Sequence, residues 1–191
     1  MPLPLPNLLA IACLVIWVGY ELVLRRRDDP EAATWQGGAA DRASTLLLVS
    51  AFVLAVGLTV VLLSADIGRI PEPLRWIGVV IEAVGLGVRG WSMVVLGRYY
   101  TRTVRTVTDQ RLMTAGPYRL LRHPGYTGTL LVWTGYCIGV GDWIVLLVVG
   151  ALLVGAYTWR IHTEEAMLLG VFGDQYRQYQ RHTRRLIPFV Y

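Results

Sequence analysis

Two short polar segments flank the last apolar hairpin of this chain, and their residue types are those that bind ligands. The first is Arg122-His123-Pro124-Gly125-Tyr126-Thr127-Gly128, and the second is Arg160 followed by Glu164-Glu165. Arg160 and Glu164 stand at i and i+4, so on a helix they share one face, a cation beside an anion. Standing alone, that spacing describes a simple surface ion pair. Pro124 fixes a bend and biases His123 towards extended backbone, which exposes main-chain groups, while Gly128 permits close approach. Where lipid meets water, such residues are costly to keep unless they bind something, and the two segments are expected to form one site. No metal centre is expected, because three scattered histidines without a carboxylate-histidine cluster make a poor ligand set.

Such a site depends on elements that can hold it at a membrane boundary. The chain has 191 residues, of which 54% are hydrophobic, and a mean hydropathy of +0.48. Run length decides between a greasy soluble domain and a membrane protein, since a helix needs about 20 apolar residues to cross a ~30 Å hydrocarbon core. Residues 3–24, 44–64 and 74–97 reach that length. Glu82 and Arg89, deep inside the third run, share a face and are expected to pair with other helices. Residues 126–140 and 143–159 are shorter and read as a tight helical hairpin, with Gly141 ending the first arm and Asp142 capping the second. Arg25-Arg26-Arg27 follow the first apolar run rather than precede it, the order of a retained anchor and not of a cleaved signal peptide. Cys13 and Cys137 both lie in hydrophobic segments and read as packing residues.

Charge placement gives an orientation. All 18 basic residues are arginine, and they concentrate in 25–42, in 98–122 and in the tail. By the positive-inside rule the N-terminus lies outside, five segments alternate, and the C-terminus is cytoplasmic together with both polar segments. Topology and lipid headgroups account for much of the net charge of +5, and without a recognition module no nucleic-acid partner is expected. Residues 1–97 read as a scaffold of three helices and the first cytoplasmic loop. Residues 98–191 belong to the same single domain and carry most of the polar chemistry. Tyr176 and Tyr179, with Arg177 and Arg181, form an amphipathic pattern expected to settle a tail helix on the membrane surface.

The run Leu112-Met113-Thr114-Ala115-Gly116-Pro117-Tyr118-Arg119-Leu120-Leu121-Arg122-His123-Pro124-Gly125-Tyr126-Thr127-Gly128 resembles the isoprenylcysteine carboxyl methyltransferase family. So does Arg160-Ile161-His162-Thr163-Glu164-Glu165, followed by Phe172-Gly173-Asp174-Gln175-Tyr176, Tyr179 and Leu186-Ile187-Pro188. Several motifs in one order make the match specific over roughly residues 86–191. The resemblance implies an all-α integral membrane protein with five transmembrane helices and a cytoplasmic C-terminal cofactor-binding region. It implies S-adenosyl-L-methionine as cofactor, contacted by Gln110, Arg111, Leu112, Met113, Tyr118, His123, Pro124, Gly125, Tyr126 and Glu164. Arg160 would position the acceptor. Gln110 and Arg111 depart from the residue types expected in the eukaryotic enzymes and would survive there as main-chain contacts.

The residues suit that ligand on chemical grounds. Glu164 can bind an ammonium or ribose hydroxyls, and Tyr118 and Tyr126 can pack against adenine or lie near a sulfonium. His123 contributes either its imidazole or its backbone. The implied acceptor is lipophilic: a prenylated cysteine carboxylate, another lipid acid, or a phospholipid amine, for which Glu165 is the nearby base. Membrane lipids are the other expected partners. The closing pattern also resembles membrane sterol-type reductases, in which arginines 98–122 would grip a nicotinamide dinucleotide, although Thr129 stands where an Asp is expected there. A third reading is a membrane protein that keeps this fold without turnover.

Overall fold

The computed structural model describes residues 3–27, 39–65, 67–97 and 112–188. Gln110 and Arg111 lie outside the described residues. Those described are helical, with helices α1 (Leu5–Arg27), α2 (Ala39–Ala65), α3 (Glu72–Leu96), α4 (Pro124–Val140), α5 (Trp143–Phe172) and α6 (Asp174–His182), and a 3-10 turn at Gly116–Arg119. Among the described residues, three stretches are long and apolar enough to cross a membrane: Arg42–Ala65, Glu72–Leu96 and Trp143–Phe172. The apolar part of α1, Leu5–Glu21, is shorter. With 17 residues, α4 reaches about 25 Å, slightly less than the hydrocarbon thickness.

Hydrogen bonds place the helix ends. Asn7 Nδ2 donates to the Val140 carbonyl at 2.9 Å and Arg75 to Asn7 Oδ1 at 3.0 Å. Trp143 N donates to Gly68 O at 2.8 Å. These contacts gather the start of α1, the start of α3 and the α4–α5 turn at one end. Glu21, Arg89, Gly125, Ser44 and Arg160 meet at the other. The five long helices therefore alternate in direction, and the polar segments lie at the opposite end from residue 5. The hairpin forms as its local chemistry dictates. Gly141 adopts a left-handed φ of 88° as the α4 C-cap, and Asp142 accepts from Ile144 N and Val145 N at 2.8 and 3.0 Å.

The tightest interface joins α3 to α4, because glycines let the two backbones touch. A Cβ on Gly135 would sit 2.5 Å from Gly78 O, and one on Gly85 would sit 2.8 Å from Gly128 O. The replacement Gly135→Ala must push the helices apart, at a cost of about 1–3 kcal/mol by overpacking. Gly155→Ala meets nothing within 4 Å and is expected to be neutral or slightly stabilising. Thermal unfolding in detergent checks the pair; equal melting temperatures would contradict the close α3–α4 contact.

Around this pair, Trp17, Phe52, Trp133 and Tyr157 bring α1, α2, α4 and α5 together. Phe52 and Trp133 stack at 5.8 Å, and Phe52 meets Tyr157 edge-on at 6.3 Å. Exposed tryptophans mark both ends of the outer surface, Trp76 and Trp91 on α3 and Trp143 and Trp159 on α5. Their spacing of 15 and 16 residues corresponds to about 22 and 24 Å of helix, a separation suited to two interfacial belts.

α5 runs on past the apolar stretch that ends at Trp159 and continues to Phe172, which keeps Arg160 and Glu164 on one helical face as their spacing requires. Two expectations need adjustment. The tail helix α6 turns its tyrosines into the protein: Tyr176 is buried, and Tyr179 Oη donates to Tyr118 O at 2.7 Å. Its apolar face is therefore covered by this chain instead of by lipid. Of Glu82 and Arg89, both expected to pair, Arg89 does so with Glu21, whereas Glu82 is fully buried with neither carboxyl oxygen hydrogen-bonded among the described residues.

Candidate active site

The first turn of α4 and the middle of α5 face each other across Tyr126. Its hydroxyl donates to Glu164 Oε2 at 2.6 Å and accepts from Arg160 Nε at 3.4 Å. The i and i+4 pair thus meets at a shared phenol, with a cation on one side and an anion on the other. A column of rings supports it: His123 stacks on Tyr126 at 5.4 Å and 5°, and Tyr126 meets Tyr157 at 4.9 Å. Rings in such contact leave Tyr126 little rotational freedom.

Arg160 is buried, and its remaining reach is towards α2. Its Nη1 donates to Ser44 Oγ at 2.8 Å and Thr45 Oγ1 at 2.9 Å. These hydroxyls are neutral partners, and a guanidinium's bonds to them are weaker than its charge-assisted, two-pronged bonds to a carboxylate. Glu164 is the more accessible acid, with a side chain 27% exposed against 5% for Glu165.

Glu165 has a different surrounding. Arg122 Nε reaches its Oε1 at 2.7 Å, and Arg185 Nε and Nη2 reach Oε2, both at 3.0 Å. His123 lies between the two acids, with Nδ1 3.8 Å from Glu164 and Nε2 3.4 Å from Glu165. Arg122 also donates to Thr183 O at 2.6 Å. The main chain closes the same clasp: Arg122 N donates to Arg184 O at 2.7 Å and His123 N to Arg185 O at 3.1 Å, while Thr127 Oγ1 donates to Leu186 O at 2.8 Å. The tail therefore lies along the Arg122–Thr127 turn and fixes its backbone. Burial pushes the Tyr176 and Tyr179 hydroxyls well above the usual tyrosine range, so both rings stay neutral beneath this clasp.

Of the residues expected at the site, His123, Tyr126, Arg160 and Glu164 are brought into direct contact. Pro124 is the first residue of α4, and Gly125 lies beside Arg89. Tyr118 is buried in the 3-10 turn, tied to the site through Tyr179. Leu112 and Met113 are half-buried just before that turn. Sequence reasoning missed Ser44, Thr45, Tyr157 and the tail residues Thr183 and Arg185. A pair of hydroxyls opening an apolar run was the one local signal for Ser44 and Thr45.

The geometry can be set beside known proteins. The Phospholipid methyltransferase family model matches residues 74–175. A protein of Oryza sativa subsp. indica named "Probable protein-S-isoprenylcysteine O-methyltransferase" is 30% identical over 186 residues, covering 94% of each chain. Protein-S-isoprenylcysteine O-methyltransferase A of Arabidopsis thaliana is 30% identical over 172 residues, 83% of this chain and 84% of the relative. A solved structure of the eukaryotic intramembrane Ras methyltransferase, isoprenylcysteine carboxyl methyltransferase, is similar at a TM-score of 0.60 and 26% identity. The match covers 78% of this chain and 53% of that one, so the chain spans about half the length of the solved structure's chain. A polar site at one end of an apolar helical bundle, and relatives matched over most of their length, lead to one conclusion: the chain belongs to the isoprenylcysteine O-methyltransferase family of membrane methyltransferases.

Proposed function

We propose that this chain transfers a methyl group from S-adenosylmethionine to the carboxylate of a lipophilic acceptor, a prenylated cysteine or a related lipid acid, at the cytoplasmic face of a membrane crossed by five helices. The observation that carries this reading is the placement of Arg160 and Glu164 on either side of the Tyr126 hydroxyl, at 3.4 and 2.6 Å. One group suits an anionic acceptor and the other a cationic donor, within one turn of helix.

The residues present fit the donor. The part-exposed Glu164 carboxylate suits an ammonium or ribose hydroxyls, and the N-terminal end of α4 at His123-Pro124-Gly125 favours a carboxylate. Tyr118 and Tyr126 line the site with aromatic rings, Leu112 and Met113 offer an apolar edge, and Gln110 and Arg111 precede them in the chain. S-adenosylmethionine supplies a methyl group on a positively charged sulfonium. An acceptor carboxylate is already deprotonated at neutral pH and needs no base. Arg160 orients it, and the ring column keeps water out of the line of approach; such positioning is worth on the order of 7–11 kcal/mol when complete.

An amine acceptor would need a proton-accepting group. Glu165, the candidate base in the sequence, is locked between Arg122 and Arg185, and Glu164 already accepts from Tyr126. That occupancy favours the carboxylate. Family membership supports a methyltransferase over the sterol-reductase reading. Orientation follows from the arginine distribution, with the site on the basic side. Thermal unfolding in detergent tests the donor: S-adenosylmethionine should raise the melting temperature and NADPH should not, and protection by NADPH alone would overturn the reading.

A further inference from the structure

We infer that Glu21 and Arg89 act together as a positioning device for the donor-binding turn, so that α1 takes part in the reaction's geometry and not merely in the scaffold. The inference rests on the proposed donor site at His123–Tyr126 and adds two residues to it from outside the turn. Arg89, on α3, reaches in two directions. Its Nε donates to Glu21 Oε1 at 2.6 Å, with Nη2 on the same oxygen, and its Nη1 donates to the Gly125 carbonyl at 3.0 Å. The guanidinium lies 5.9 Å from the ring centroid of Trp17. Trp17 and Glu21 are i and i+4 on α1, so one helix face presents both a ring and a carboxylate to this cation.

The contact is built, not incidental. Both side chains are largely buried, at 12% and 16% exposure. The Arg89 carbonyl accepts from Ser92 Oγ at 2.7 Å. Gly128 leaves room for this arginine: a Cβ there would lie 2.7 Å from Arg89 N and 2.8 Å from Arg89 Cβ. The clamped carbonyl belongs to Gly125, whose neighbours in sequence include the stacked rings of His123 and Tyr126. A guanidinium held at one end by Glu21 and at the other by Gly125 fixes how far the first turn of α4 can rotate. Rotation of that turn moves both rings relative to Glu164. Glu21 lies outside residues 74–175 of the family match, and composition alone marks α1 only as an apolar helix.

A structural ion pair and a clamp on the turn predict different results. Methyl transfer and donor affinity should be measured for Arg89→Ala, Arg89→Lys, Glu21→Gln and the swapped pair Glu21→Arg/Arg89→Glu, alongside the parent protein. Arg89→Ala and Glu21→Gln should raise the KM for S-adenosylmethionine by about tenfold, the order expected for one lost charge-assisted contact, while the acceptor KM stays within about twofold. Arg89→Lys should fall between. The swap should recover the melting temperature but not the donor affinity, because a carboxylate at position 89 cannot donate to Gly125 O. Hydrogen exchange of residues 123–129, read without ligand, should accelerate in Arg89→Ala and in the swap. Folded variants with unchanged donor KM and unchanged exchange, or a swap that restores both, would overturn the clamp. A parent protein that binds no S-adenosylmethionine would overturn the proposed donor instead, and the exchange data would still decide the clamp.

Discussion

Replacing Arg160 by alanine should abolish most methyl transfer while leaving S-adenosylmethionine binding nearly intact. The guanidinium is buried between α2, α4 and α5 and is held by Ser44, Thr45 and the Tyr126 hydroxyl, so its direction is set before any acceptor arrives. Removing it takes away the charge that aligns the acceptor oxygen, and misalignment by about 1 Å is enough for a loss on the order of a hundredfold. A drop in kcat/KM of about 10²–10³ is therefore expected, in the range seen when one preorganised charged or polar group is deleted. Arg160→Lys should recover little, since a point charge cannot reproduce a planar fork. Calorimetry with S-adenosylmethionine and single-turnover transfer separate the two effects. An Arg160→Ala protein with normal turnover, or one that loses donor binding and acceptor transfer equally, contradicts the assignment of this residue to the acceptor.

The second large effect is expected at Glu165. Its carboxylate is the meeting point of Arg122, Arg185 and His123, and both it and Arg122 are nearly excluded from solvent, at 5% and 9% side-chain exposure. Removing one partner of such a pair leaves the other charge buried and unmatched, which costs about 3–5 kcal/mol. Glu165→Ala should lower the melting temperature by several degrees and release the tail from the Arg122–Thr127 turn. Donor binding should fall with it, because the main-chain bonds from Arg122 and His123 to Arg184 and Arg185 depend on the tail being seated. The Arg185 contact, 27% exposed, contributes the smaller share. Adding Arg122→Met to Glu165→Ala should recover part of the stability by removing the stranded charge, but not the donor affinity. Unchanged melting in Glu165→Ala would show that the clasp carries no weight.

What could be read from the residues alone follows the range of the forces involved. The α4–α5 hairpin was legible because its causes are local: a glycine that tolerates φ of 88° and an aspartate that caps two residues ahead. The meeting of Arg160 with Glu164 was legible because helical spacing enforces it, and the turn at His123-Pro124-Gly125 because its motif is dense. The partners of Arg160 were not. Ser44 and Thr45 lie 116 and 115 residues away in the chain, and no periodicity links two hydroxyls at the start of α2 to a cation on α5. The tail illustrates a different limit. An amphipathic pattern says that Tyr176 and Tyr179 need cover; it does not say whether lipid or protein provides it. Glu165 read as a candidate base because the arginines that bind it come from residues 122 and 185, on separate elements. Glu21, near the end of an apolar helix, gave no sign of its reach to Arg89 until α1 and α3 were seen side by side.

Following a labelled methyl group from S-adenosylmethionine into a prenylated cysteine acceptor, in detergent or lipid with the purified chain, decides whether an ester is made. Label is expected in the lipid-soluble fraction that mild alkali releases as volatile methanol, the behaviour of a methyl ester, with almost none for Arg160→Ala. Label that resists alkali and travels with phospholipid, or no transfer by protein that binds the donor, would contradict the proposed carboxylate methylation.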